Sequence, residues 1–277
     1  MRIDIVVRQG LQHQADFALL VSKGLCRHGI QVKVVSSDMP VTADIAFCWG
    51  WRVGSQLVRR GKRVLVMERG YIGDRFAWTS FGWDGLNGHA RWPQIDDGGE
   101  RFRKHFADLM QPEREGGTGY ALVFGQVPGD MSIQGVDLDG FYRLAANRLA
   151  TQFGAQVCFR PHPVHVKRGG RPGAFLHGMM VTEGTLEEDL AGAACAVAWN
   201  SNGLTDAALA GVPVLAMNEC AMVWPIARHG LDDVPALRGR KDWAHRMAWR
   251  QWSHAEIESG AFWEAVKTAM EPETCAA

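Results

Sequence analysis

Short runs rich in valine and isoleucine alternate with segments of helical period along most of this chain, and that alternation limits the folds open to it. Residues 3–7, 31–35, 44–49 and 63–67 read as strands. Residues 16–28 and 53–60 read as helices, closed by Gly29 and Gly61. Strands separated by helices of this length pair in parallel through right-handed crossovers. The rhythm dissolves over 73–119, where Trp78, Trp83, Trp92 and clustered glycines are too aromatic for a disordered linker. That stretch reads as an ordered loop region lining a cleft, then a helix over 100–110 and a hinge over 112–119. The rhythm restarts with strands over 120–124, 156–159, 195–199 and 212–216, and helices over 138–153, 186–193 and 205–210. The tail over 241–270 reads as helical. The expected fold is therefore α/β, with two Rossmann-like lobes at 1–115 and 116–240 and a helical tail at 241–277 packing back on the first lobe.

Composition narrows the function classes. At 277 residues and 47 % hydrophobic content the chain can bury a sizeable core. Thirty basic residues balance thirty acidic ones, so a protein living on non-specific phosphate contacts is not expected. No run approaches the ~18 apolar residues of a membrane span. The opening MRIDIVVRQG carries an aspartate inside a strand-like run and does not read as a signal peptide. Six scattered cysteines without a C-x-x-C pair read as reduced thiols, which points to the cytoplasm and to no metal site. Phosphate-loop, G-x-G-x-x-G, G-x-S-x-G and H-E-x-x-H patterns are all missing.

Three loops in the second half each follow an expected strand, the place where sheets of this kind hold ligands. The first, F-G-Q-V-P-G-D-M-S, begins at Gly125 and Gln126 and presents Asp130 just past the strand end. That carboxylate suits an acid, base or nucleophile, and equally a turn-closing bond to the Ser132 amide. The second, F-R-P-H-P, holds His162 between two prolines beside Arg160, two donors suited to a phosphate. A plain loop histidine is the alternative. The third runs from a strand into Asn200, Ser201, Asn202 and Gly203 and opens a helix, with Asp206 one turn in. Such a terminus suits a phosphate, and ordinary N-capping explains it too.

In order, G-Q-V-P-G-D-x-S, R-P-H-P and N-S-x-x-x-x-D-A-x-x-x-G-x-P-V resemble the capsular-polysaccharide Kdo transferase family, over about 119–217. The resemblance implies a GT-B-like, retaining-type glycosyltransferase using a nucleotide sugar. Its donor would sit on the 116–240 lobe and its acceptor on the 1–115 lobe. Gly125, Gln126, Arg160, His162, Ser201, Asn202, Gly203 and Asp206 would hold the donor, and Asp130 would act at the reacting sugar. The nucleotide sugar is a co-substrate; no cofactor or metal is implied. Asn202 and Asp206 depart from the family's usual Thr and Glu. The Trp-rich tail resembles small phage-encoded members, which opens a second acceptor class. The acceptor is then a surface polysaccharide or a hydroxylated or hydroxymethylated base in phage DNA. The basic runs Arg59-Arg60-Gly61-Lys62-Arg63 and Lys167-Arg168-Gly169-Gly170-Arg171 suit the latter. A non-catalytic nucleotide-sugar-binding module is a third reading.

On the first half, His13, Glu68, Arg69, Asp74, Trp83 and Asn87 are the acceptor-side candidates, with Glu68 a general base or a solvated strand-end carboxylate. Trp78, Trp83 and Trp92 either stack on a sugar or base or fill the core. Trp249 and Trp252, three apart on the tail, read as packing.

Overall fold

The computed structural model describes residues 1–114, 119–154, 156–170 and 178–270. Part of the expected hinge, Arg171 of the second basic run and the last tail residues lie outside them. The chain forms two compact units. Unit 1 is Met1–Phe106 with the chain from His245 onward, and unit 2 is Ala107–Ala244. Residues 107–114 belong to unit 2 because Gln111 N donates to Leu209 O (2.9 Å) and Arg114 N to Gly211 O (3.0 Å). Trp243 is buried in unit 2, its indole N–H donating to Met222 O at 2.9 Å.

Unit 1 opens with β1 (Arg2–Val7), α1 (Gln12–Cys26), β2 (Gln31–Ser36), β3 (Ile45–Trp49), α2 (Trp51–Arg59) and β4 (Arg63–Arg69). These strands pair in parallel, as the alternation implied. Then comes β5 (Trp78–Trp83), antiparallel to β4, inside the stretch expected to be loop. Thr79, Ser80, Phe81, Gly82 and Trp83 are all buried, so β5 shows no polar–apolar alternation to betray it. α3 (Glu100–Phe106) closes this part.

Unit 2 contains β6 (Tyr120–Phe124), α4 (Leu138–Phe153), β7 (Val157–Arg160), α5 (Pro163–Lys167), β8 (Met179–Val181), α6 (Leu186–Gly192), β9 (Ala193–Ala198), α7 (Gly203–Leu209) and β10 (Val214–Ala216). Its sheet is wholly parallel, in the order β10-β9-β6-β7-β8. Buried Val123, Leu149, Val157, Phe159 and Val197 form its core with α4. The short edge strand β8 and the helix α5 directly after His162 were not anticipated.

The tail is not one helix. After α8 (Arg240–Ala248) come β11 (Gln251–Ser253), α9 (His254–Ser259) and α10 (Ala261–Val266). β11 pairs antiparallel with β5, which completes the order β11-β5-β4-β3-β1-β2. Trp252, Ile257, Phe262, Trp263 and Val266 fill the core of unit 1 with Ile3, Val21, Phe47 and Phe81. Buried Arg101 fastens the junction. Its guanidinium donates to Ala248 O and Gln251 O, pairs with Glu256 at 2.5 and 3.0 Å, and lies 4.2 Å from the Trp252 ring centre.

Candidate active site

β6 is the first strand of unit 2 and the middle of its sheet, with β7 on one side and β9 on the other. The chain runs from β6 outward through β7 to β8 and then returns to β9 on the other side of β6, so the strand order reverses between β6 and β9, the place where sheets of this kind hold ligands at their carboxyl ends. The three loops predicted to carry chemistry leave the carboxyl ends of β6, β7 and β9, so they are neighbours.

The β6 and β9 loops are locked together by buried amides. Gln126 Nε2 donates to Asn200 Oδ1 (2.5 Å), and Asn200 N donates to Gln126 Oε1 (3.1 Å). Asn200 Nδ2 donates to Ser132 O at 2.7 Å, which ties the clasp to the turn that presents Asp130. The Gln126 N–H donates to the Tyr142 hydroxyl (2.8 Å), and burial pushes that phenol up to about 12, so it stays neutral. Gln126, expected on the donor, is thus held by internal partners. Gly125 is needed for close approach: a Cβ there would come within 2.8 Å of the Phe159 ring.

Asp130 caps a single 3-10 turn, Met131–Ile133. Its Oδ1 accepts from Ser132 N (2.9 Å) and Ser132 Oγ (2.8 Å). The turn-closing role is therefore real. Oδ2 has no hydrogen-bond partner among the described residues, and the side chain is exposed.

Arg160, at the end of β7, is not simply displayed to a ligand. It pairs with the buried carboxylate of Asp189 and donates to Gly184 O at 2.8 Å. Thr182 Oγ1 donates to the same Asp189 oxygen (2.7 Å). Arg160 is held by the α6 side of the sheet, as an anchor for the loop that follows. His162 N-caps α5, its Nδ1 accepting from Val164 N (3.1 Å), with Pro163 in the first helical position. In the neutral ring that bond puts the proton on Nε2.

In the third loop Ser201 Oγ accepts from Gly203 N (3.3 Å), and its carbonyl accepts from Leu204 N (3.1 Å). Asn202 occupies the N-cap of α7 without a side-chain cap bond. Gly203 lets α7 start against β6, since a Cβ would come within 2.8 Å of the Phe124 ring. Asp206 lies in the first turn, partly exposed. Asp189 and Tyr142 were not among the residues singled out from sequence, and Asn200 was placed in the third loop without its role as a buried clasp. Asn200, the first side chain with both amide donor and acceptor after the β9 apolar run, offered a signal; Asp189, an acid beside Leu190, offered none.

Unit 1 corrects one acceptor-side expectation, Trp83. Trp83 is 0 % exposed and its indole N–H donates to Val266 O (2.8 Å), so it is core and meets no acceptor. Asn87 shapes its own loop: at φ 50° it accepts from the Tyr71 hydroxyl (2.8 Å) and, through its carbonyl, from the Trp92 indole (3.0 Å). Trp78 packs on Phe106, and Trp92 is buried. Glu68 and Arg69 end β4 on opposite faces of the sheet. Glu68 lies near Gly50 at the start of α2 and, with burial, pushes the Cys48 thiol well up. Arg69 shares the other face with Trp49, whose ring meets His13 edge-on at 5.6 Å. Asp74 Oδ1 accepts from Phe76 N (2.9 Å), closing a loop turn. Among the described residues no group of three His, Cys, Asp or Glu is placed to hold a metal ion, and no helix is long and apolar enough to cross a membrane.

No family model matches the sequence, and no curated protein does. Two solved structures from Thermosulfurimonas dismutans resemble it. The KpsC beta Kdo 2,7 transferase aligns with a TM-score of 0.59 at 13 % identity, covering 94 % of this chain and 98 % of that one. The KpsC beta Kdo 2,4 transferase gives 0.57 at 18 % identity, covering 89 % and 90 %. Identities this low speak for architecture alone. The chain has the GT-B-like fold of these two transferases, built from two Rossmann-like lobes.

Proposed function

We propose that this protein is a glycosyltransferase that binds a nucleotide sugar on unit 2 and transfers the sugar to a glycan acceptor. One observation carries the reading. A buried amide clasp, Gln126 to Asn200, joins the two loops at the carboxyl ends of β6 and β9 and ends on the turn that holds Asp130. Buried polar pairs of this kind hold neighbouring groups in a fixed geometry, as catalysis requires.

In this reading His162 donates from Nε2 to the donor phosphate. Ser201 accepts from Gly203, so its own hydroxyl proton is directed outward to the same phosphate. These two donors stabilise the departing nucleotide without metal or cofactor, while the Asp206 carboxylate accepts from a sugar hydroxyl and positions the sugar. Asp130 Oδ2 faces the reacting sugar, and Glu68 takes the acceptor proton. Arg160 and Gln126 position loops. The basic residues Arg59, Arg60, Lys62 and Arg63 lie at the opposite end of β4 from Glu68, which favours a glycan over DNA as the acceptor.

The test is a panel of nucleotide sugars read by thermal shift, followed by a mass-spectrometric transfer assay offering glycan fragments and hydroxymethylated duplex DNA. His162→Ala is expected to weaken donor binding roughly tenfold or more. Asp130→Asn should keep donor binding and slow transfer by about 10²- to 10⁴-fold. Near-wild-type turnover in Asp130→Asn would remove the catalytic assignment, and binding without transfer to any acceptor would leave a binding module.

A further inference from the structure

We propose that the carboxyl end of the unit 1 sheet holds a subsite for an anionic group, a carboxylate or a phosphate, recognised by the guanidinium of Arg69. The Arg69 guanidinium carbon lies 4.6 Å from the centre of the Phe76 ring and 5.4 Å from that of Trp49, over both faces. It donates to no acceptor among the described residues. Most guanidinium groups at this depth find a carboxylate or carbonyl, as Arg91, Arg101, Arg114, Arg160 and Arg240 do here. The two rings meet the cation through their π faces and take up none of its N–H donors in hydrogen bonds, which leaves the guanidinium able to bind a carboxylate or phosphate through two parallel bonds.

The surroundings are built to hold that arrangement. Phe76 is 69 % exposed, so the ring that meets Arg69 stands at the surface where a ligand can reach the pair. The loop that carries it is fastened at several points. Asp74 Oδ1 accepts from Phe76 N (2.9 Å), Arg75 Nε donates to Gly70 O (2.9 Å), and Gly70 N donates to Trp78 O (2.9 Å). Buried Gln251 accepts from Tyr71 N and Ile72 N at 2.7 and 3.1 Å, so the tail also braces this loop. On the other side Trp49 is wedged by Phe17 and His13, at 4.8 and 5.6 Å between ring centres. The cation is therefore held by rigid parts before any ligand arrives, which lowers the ordering cost of binding. Nearby negative charge is turned elsewhere: Glu68 is on the opposite face of β4, and one Asp74 oxygen closes the Phe76 turn.

The subsite rests on the glycosyltransferase reading only for its role, that of recognising an acidic or phosphorylated sugar acceptor. It is tested directly on the full chain by NMR titration of the arginine Nε–H and indole N–H resonances. The probes are glucuronate, glucose 1-phosphate and, as the neutral control, glucose, each to about 20 mM. Saturable shifts at Arg69 and Trp49 with an anionic probe and none with glucose are expected. A response to glucuronate alone assigns a carboxylate, to glucose 1-phosphate alone a phosphate. Arg69→Gln should weaken binding roughly ten- to hundredfold. Arg69→Lys, which keeps the charge but loses the planar fork, should weaken it less. Phe76→Leu, on the exposed loop, should weaken it severalfold with unchanged thermal stability. No saturable binding of either anion, equal binding of glucose, or full binding by Arg69→Gln would overturn the proposal. Donor binding is read separately by nucleotide-sugar thermal shift. Loss of that signal with the Arg69 response intact sinks the transferase reading alone. Donor binding and transfer with an unresponsive Arg69 sinks the subsite alone.

Discussion

Asn200 makes three hydrogen bonds from one buried position, two with Gln126 and one with the Ser132 carbonyl. Removing its side chain leaves the buried Gln126 Nε2 donor and the Ser132 carbonyl without their partners, while the backbone bond from Asn200 N to Gln126 Oε1 remains. Asn200→Ala is therefore expected to lower stability by about 1–3 kcal/mol and to weaken donor binding as well, measured by urea unfolding and nucleotide-sugar titration. A variant with unchanged stability would show that the clasp relaxes around the loss. At this scale the sequence was legible in part. Asp130, His162 and Ser201 stand just past apolar runs, and local pattern finds such positions. What each side chain bonds to was not legible. Gln126 meets Asn200 across 74 positions and Arg160 meets Asp189 across 29, and no local pattern reports such a pairing.

Among the elements, the tail departs most from its expected form. Residues 241–270 carry helical period, yet the chain breaks at β11 and adds a sixth strand to unit 1. The break is held by Arg101, whose pair with Glu256 is largely buried, and by the reciprocal Ser253–Glu256 cap that starts α9. Glu256→Ala strips a buried guanidinium of its carboxylate and removes half of that cap. A loss of about 3–5 kcal/mol is expected, measured by denaturant unfolding. Arg101→Met/Glu256→Leu, which removes both charges, should be less costly than the single change if the isolated charge is the cause. β5 was missed for a related reason: with both faces covered it has no alternation, and β11, which pairs with its outer edge, comes from about 170 positions further along the chain.

For the molecule as a whole, several carboxylates of unit 1 set an acid limit. Burial works to raise Asp4, but the amides of Ala43 and Thr42 and the Thr42 hydroxyl outweigh it and hold Asp4 below its ordinary 3.8. Burial likewise works against Asp97, where the amides of Arg101 and Gly99 prevail. At Glu256 the bonds from Arg101 and Ser253 overcome burial and hold the group below 4.5. A carboxylate lowered by folding contributes stability above its unfolded value, and the contribution is lost as pH falls through the folded one. Urea stability should thus be level above about pH 5 and fall steeply below about pH 4. Asp4→Asn should be less stable near neutrality and show a shallower acid slope; an unchanged slope would show that Asp4 is not part of the limit.

The α/β class, the parallel strands and the three strand-end loops were determined by the sequence itself, because hydrophobic period and turn residues act over a few positions. Only the tertiary structure decided that Trp83 is core, that the tail completes the first sheet, and that Gln126 and Arg160 are held by internal partners. Those outcomes depend on which distant segment supplies the last hydrogen bond or the last apolar surface, and that choice is made by packing across the fold.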